Sequence, residues 1–289
     1  MLEPARTGVM FRWGKSGATL NKPRIGVVSY LNAVPLWYSL QHETDIEVYP
    51  DTPAQLCRMM DAGKLDVGLL PVVETLRHES WSFFRDLGIA ADGIVDSVGL
   101  FTRTELSQVK TVALTNSSRT SVALTKVILH EAGATPEYID ADVTADDLHD
   151  RTEDAVLLIG DQCLRARNLD TDRVFVDLAS EWKLLTGLPF IFAVWTGPKS
   201  QLTEALHKRL RQAYLVSRAL SFDLVRYAGM DTGWSEADLA RYLEEIIIHE
   251  PNAECFKGLL EFARRAAELD LVPKSAVDKV LDAMGGGTA

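Results

Sequence analysis

The densest group of residues able to hold a negative charge is Ser117-Ser118-Arg119-Thr120-Ser121. It follows the apolar run Val109–Leu114 and opens a helical pattern that continues to about His130. Backbone N–H groups at a helix start have no intrahelical acceptor, and small hydroxyl residues there add O–H donors. Arg119 adds a fork of N–H donors that matches a carboxylate or phosphate. In the plainer alternative, the serines cap the helix and Arg119 is solvated. Five polar residues in a row exceed what a cap needs.

Three other segments carry polar residues at the ends of apolar runs. Ser29-Tyr30-Leu31-Asn32 follows the first run, Ser97 lies within Gly93–Phe101, and Gly160-Asp161 follows Ala155–Ile159. Open parallel sheets bind ligands beyond their C-terminal strand ends, at helix N-termini. On that rule all four segments face one cleft. Each also has an ordinary explanation. Asn32 suits a helix N-cap, Asp161 a turn, and Ser97 a hydrogen-bonded core hydroxyl. Trp182 and Phe190, around the turn Gly187-Leu-Pro-Phe190, either line a pocket or fill a core.

The elements that must position these residues follow from periodicity. Arg24–Ser29 reads as a buried strand. Asn32 and Pro35 then open a short helix, and Ile46–Tyr49 is a second strand. Thr52 caps a helix that begins at Pro53, with Leu56, Met59 and Met60 inward and Gly63 as its stop. Leu65–Leu70, closed by Pro71, is the third strand. Strand–helix–strand–helix–strand implies a parallel sheet with right-handed crossovers. A less regular stretch leads to the strand Gly93–Phe101. The pattern then restarts with Val109–Leu114, a helix stopped by Gly133, and Ala155–Ile159. Phe190–Trp195 is the last strand, and Leu206–Leu220, Leu239–Ile248 and Phe256–Leu269 are amphipathic helices. Gly285 begins a frayed tail.

Two such blocks predict an α/β protein of two lobes, each with a mainly parallel sheet. Residues 1–22 form an extension, 23–103 with 195–289 the first lobe, and 104–194 the second. The strands holding Phe101 and Trp195 are then the crossings between lobes, and the C-terminal helices pack back on the first.

Bulk properties narrow the partners. The 289 residues are 47% hydrophobic and 25% charged, with a formal net charge of -11. Such a field opposes nucleic acid and anionic membranes as partners. No apolar run reaches the roughly 18 residues of a membrane span. The first 22 residues lack the apolar core of a secretory signal, so a cytoplasmic location is expected. Cys57, Cys163 and Cys255 are odd in number and widely spaced, which predicts buried thiols rather than disulfides or zinc. The six histidines show no metal-ligand spacing. GxGxxG, Walker, HExxH and GxSxG motifs are absent.

Taken in order, Ser29-Tyr-Leu-Asn32 with Pro35-Leu36, Asp66-Val-Gly-Leu-Leu-Pro71, Ser118-Arg-Thr-Ser121, Ile159-Gly-Asp161, and Trp182 through Thr186-Gly-Leu-Pro-Phe190 resemble the chorismate dehydratase family. These are menaquinone biosynthesis enzymes of the futalosine pathway. The likeness covers nearly all of the chain after Lys22. The sister family, 1,4-dihydroxy-6-naphthoate synthase, has a Ser-Pro-Cys-Pro-Asn type motif where this chain has Ser-Tyr-Leu-Asn. The resemblance implies a fold similar to type II periplasmic binding proteins. It also implies loss of water from chorismate to give 3-(1-carboxyvinyloxy)benzoate, with no metal or organic cofactor. Chorismate is a dianion, so two anion-holding clusters are expected: Ser118, Arg119, Thr120 and Ser121, and opposite them Ser29, Asn32 and Ser97. Tyr30, Gly160, Trp182 and Phe190 are expected around the substrate. Asn32 and Ser97 would place and polarise the reacting groups. Asp161 and the substrate's own enolpyruvyl carboxylate are both open as the base. The alternatives are the sister synthase and a small-anion-binding protein without chemistry. A homodimer is compatible with the sequence.

Overall fold

The structure is a computed structural model that describes residues 22–115, 118–220 and 233–285. The expected N-terminal extension, apart from its last residue, and the tail beyond Gly285 lie outside the described residues, as does Ser117. The strands are β1 (Arg24–Val27), β2 (Glu47–Pro50), β3 (Val67–Pro71), β4 (Trp81–Ala91), β5 (Val98–Thr102), β6 (Thr111–Thr115), β7 (Glu137–Ala141), β8 (Ala155–Ile159), β9 (Val174–Asp177) and β10 (Phe190–Pro198). They form two five-stranded sheets, ordered β2-β1-β3-β10-β4 and β7-β6-β8-β5-β9.

In the first sheet β1 pairs parallel with β2 and β3, as the strand–helix alternation predicts. In the second, β6 pairs parallel with β7 and β8. Both sheets are mixed, because β10 runs antiparallel between β3 and β4, and β5 antiparallel between β8 and β9. The strands holding Phe101 and Trp195 are therefore not crossings; each lies wholly within one sheet. The chain passes between sheets at residues 92–97 and 187–189. Positive φ angles mark both passages, at Gly93 (93°), Asp96 (61°) and Gly187 (73°). Apolar runs show that a strand is buried but not which neighbours it pairs with, so the crossings escaped the pattern.

Local signals held elsewhere. After the short helix α1 (Val34–Trp37), helix α2 (Pro53–Asp61) has Pro53 at its first position, and Thr52 Oγ1 accepts from Gln55 N–H. Leu56 and Met60 are buried while Met59 is half-buried. Helix α4 (Arg119–Glu131) is capped by Ser118, which accepts from Ser121 N–H. Between them lies α3 (Val72–Arg77), and after β8 and β9 come α5 (Gly160–Ala166) and α6 (Leu178–Thr186). The sequence pattern had left β4, β7, β9, α3, α5 and α6 undefined. In β4 the polar Ser82, Arg85 and Asp86 break the alternation that would have marked it.

The C-terminal part supplies α7 (Glu204–Ala219), α8 (Glu236–Arg241), α9 (Ala253–Glu268) and α10 (Ser275–Gly285). Helix α7 lies on the first lobe, where Ser39 Oγ donates to Ala213 O and Ser217 Oγ accepts from Ser39 N–H, both at 2.9 Å. Helix α9 crosses the passage at Pro189 at very short range. A Cβ on Gly258 would stand 1.9 Å from Pro189 O, so only glycine fits there. No helix among the described residues is long and apolar enough to cross a membrane. All three cysteines are buried free thiols, as their spacing predicts.

Candidate active site

The sheets face each other across a cleft. Its polar lining is Tyr30, Asn32, Ser118 and Ser121, with Gly160 in the floor, and Leu69, Ile89 and Phe192 are among its apolar walls. The open space is about 60 Å³. Ordinary small-molecule pockets hold roughly 300 Å³ or more. As it stands, the space is smaller than such a pocket.

Contacts across the cleft show what closure brings together. Leu31 N–H donates to Asp161 Oδ1 at 3.2 Å. Val73 N–H donates to Thr120 Oγ1 at 3.3 Å. Arg119 Nη1 lies 3.0 Å from Glu74 Oε2. Glu74 is 2% exposed and also pairs with Arg77. Two residues expected to hold the anion are therefore committed elsewhere: Thr120 is buried against α3, and the Arg119 guanidinium is held by a buried carboxylate. The first turn of a helix points successive side chains in different directions, so five consecutive polar residues cannot all face one ligand. Ser118 and Ser121, three apart, share a face, and their hydroxyls are 2.9 Å apart in the cleft wall.

Gly160 has φ of 56°. A Cβ there would lie 2.9 Å from Tyr30 Cδ1, so the Tyr30 ring packs directly on this backbone. Gly160 N–H donates to Ser97 O at 2.7 Å, which ties α5 to the first passage between sheets. Ser29 is exposed and stands outside the lining. Trp182 and Phe190 are fully buried, edge to face at 5.5 Å, and both pack on Phe262. They form core rather than lining; Phe192, whose ring is 4.8 Å from Phe190, reaches the cleft, as Tyr30 does.

Asn32 is not a helix cap. It sits inside a turn, Leu31–Ala33, that has no side-chain cap. Its side chain is buried, and Oδ1 has no hydrogen-bond partner. Ser97 precedes β5 rather than lying within it, and its fully buried Oγ accepts from Tyr242 O–H at 2.7 Å. The Asn32 side chain is a neighbour of the same phenol oxygen. Burial pushes the Tyr242 hydroxyl far above its ordinary value, so it stays protonated.

A second residue braces Asn32. His249 Nε2 donates to Asn32 O at 2.7 Å. Burial pushes His249 down to about 4, against the favourable hydrogen bond and with a smaller push from Arg218. The ring is therefore neutral, with its proton on Nε2. Both residues come from one segment. Tyr242–Ile246 is a π turn following α8, and Ile248 and His249 then hydrogen-bond to Gly88 and Ala90 on the edge of β4. Sequence reasoning missed Tyr242 and His249. One signal was present: Leu239, Tyr242, Leu243 and Ile246 recur at helical spacing, and a tyrosine on an inward stripe needs a partner for its hydroxyl.

The fold and cleft define the class: a two-lobed α/β protein with a periplasmic-binding-protein-like fold and a small cleft between its sheets. Similar folds are protein AF1704 from Archaeoglobus fulgidus (TM-score 0.71, 17% identity, covering 88% of this chain and 100% of that one) and the periplasmic aliphatic sulphonate binding protein SsuA from Escherichia coli (TM-score 0.62, 16% identity, 90% and 91%). A family model described as menaquinone biosynthesis matches residues 23–268. A chorismate dehydratase from Thermus thermophilus is 34% identical over 209 residues, 65% of this chain and 76% of that protein. One from Campylobacter jejuni is 23% identical over 254 residues, 85% and 98%. The chain belongs to this menaquinone biosynthesis family, which contains the chorismate dehydratases.

Proposed function

We propose that the chain removes water from chorismate to give 3-(1-carboxyvinyloxy)benzoate. The observation that carries this reading is the buried Asn32 Oδ1 without a partner, in a closed cleft whose other wall is the N-terminus of α4. An unsatisfied buried amide oxygen costs about 1–3 kcal/mol unless a ligand completes it. Family membership supplies the identity of that ligand.

The reaction needs no redox partner. A proton leaves the ring carbon that bears the enolpyruvyl ether. The electron pair passes through the conjugated diene, which the ring carboxylate stabilises, and the neighbouring carbon–hydroxyl bond breaks. The hydroxyl departs as water and the ring becomes aromatic. In this reading the α4 N-terminus with Ser118 and Ser121 holds one carboxylate. Asn32 and Ser97 place the ring and stabilise charge as it develops. Asp161, already bonded to Leu31 N–H, closes the lobes, and the substrate's own side-chain carboxylate takes the proton. The apolar walls exclude water and strengthen each polar contact.

Chorismate mixed with purified protein, without added metal or cofactor, should yield carboxyvinyloxybenzoate by chromatography and mass. Folded Asn32→Ala and Ser97→Ala variants should lose about a hundredfold or more in kcat. Chorismate left unchanged by folded protein would move the assignment to the sister synthase or to a binding role without chemistry, the role SsuA's name gives that protein.

A further inference from the structure

Tyr242 is 145 residues from Ser97 in sequence, and its hydroxyl donates to Ser97 Oγ at 2.7 Å in a fully buried setting. A phenol has one proton to give and an oxygen that accepts. Here the proton goes to Ser97, and the Asn32 side chain is a neighbour of the phenol oxygen. Tyr242 thus donates to Ser97 and stands beside Asn32. Two groups are left over: the Ser97 proton, since its oxygen is already an acceptor, and Asn32 Oδ1, which has no partner. Hydrogen bonds in series polarise one another, so a Ser97 oxygen that accepts becomes a stronger donor.

We infer that Tyr242 is a positioning residue of the dehydration site, fixing Ser97 as a hydrogen-bond donor and Asn32 Oδ1 as an acceptor toward one bound molecule. This rests on the dehydratase reading. The π turn supports it, because one extra residue in the last helical turn re-aims the side chains around it, and such turns recur at functional sites. His249, seven residues on, holds the Asn32 backbone from the same segment. One stretch of chain thus sets both the main chain and the side chain of Asn32, and the rotamer of Ser97. A residue needed only to fill the core would not require a hydroxyl.

The test is a double-mutant cycle on kcat and KM with chorismate, using Tyr242→Phe, Ser97→Ala and the pair. Tyr242→Phe should lower kcat about 10- to 100-fold, with KM within about twofold and the thermal transition retained. In the Ser97→Ala background it should cost several-fold less than in wild type, because the part that acts through Ser97 is already gone. Wild-type kcat in Tyr242→Phe, or the same loss in both backgrounds, overturns the inference while leaving the dehydratase reading intact. A folded wild type with no turnover overturns the reading and the inference with it. If Tyr242→Phe does not fold, fluorotyrosines at position 242 keep the shape and change only the acidity of the phenol. A kcat that follows that acidity supports the inference, and a flat series overturns it.

Discussion

Asp161 stands where a carboxylate could take a ring proton, yet its Oδ1 already receives the Leu31 N–H at 3.2 Å. That contact gives the carboxylate a part in holding the lobes together. Asp161→Asn keeps an acceptor for Leu31 and removes the basicity. We expect kcat to stay within about tenfold and KM to rise, because closure is weakened while chemistry is retained. A general base removed costs about a hundredfold or more in kcat. Steady-state kinetics of this one variant therefore separate the closing role from the proton-accepting one.

The segment from the π turn to His249 adds a pH dependence to stability. His249 is moved by burial from its ordinary 6.5 to about 4. Between those values the unfolded chain binds a proton that the folded chain does not. The contribution is thus fully present above pH 6.5 and is lost as pH falls toward 4, on the order of 3 kcal/mol in all. Urea unfolding at pH 7 and pH 4.5 should show a larger fall for wild type than for His249→Gln, which keeps a donor for Asn32 O and does not titrate. Equal falls would show that His249 does not control this window. Helix α9 makes a different demand. Gly258→Ala puts a methyl group 1.9 Å from Pro189 O, which is backbone and cannot swing aside. The helix must move off the passage between sheets, and we expect about 2 kcal/mol or more of destabilisation, read as a lower thermal midpoint.

A cleft of about 60 Å³ is too small for its ligand unless the lobes part. The contacts made at closure are few. Leu31 N–H and Val73 N–H each bond to a side chain of the other lobe, at 3.2 and 3.3 Å. Amides protected only by such contacts should exchange faster than those of β1, β3 or β8, whose partners lie within a sheet. Adding the product should slow Leu31 and Val73 at least about tenfold, through its differential affinity for the closed form. Unchanged exchange at saturating product would mean that these contacts do not report closure. Glu74 gives the lobes a further hold on each other, since it is buried between Arg77 and Arg119.

Patterns within ten or fifteen residues were enough to read the parallel strands β1, β2 and β3, the Thr52 cap, and the Gly63 and Gly133 stops, with capping by the serines before α4 as the plainer alternative. They also marked Tyr30, Asn32, Ser118, Ser121 and Gly160 as strand-end residues, and these line the cleft, while Asp161 bonds to Leu31 N–H. Such features depend on neighbours in the chain: a capping oxygen three residues from its N–H, an apolar alternation, a backbone that needs positive φ. Folding alone settled the rest. Whether β5 and β10 cross between lobes or complete a sheet depends on which distant strands offer free hydrogen-bonding edges. Arg119 pairs with Glu74 because α3 brings this buried carboxylate to it, and a buried charge is costly unless it is well compensated. Ser97 and Asn32 gain Tyr242 and His249 from 145 and 217 residues away. A buried polar atom must find a partner somewhere, and only the packing of remote segments determines which one it finds.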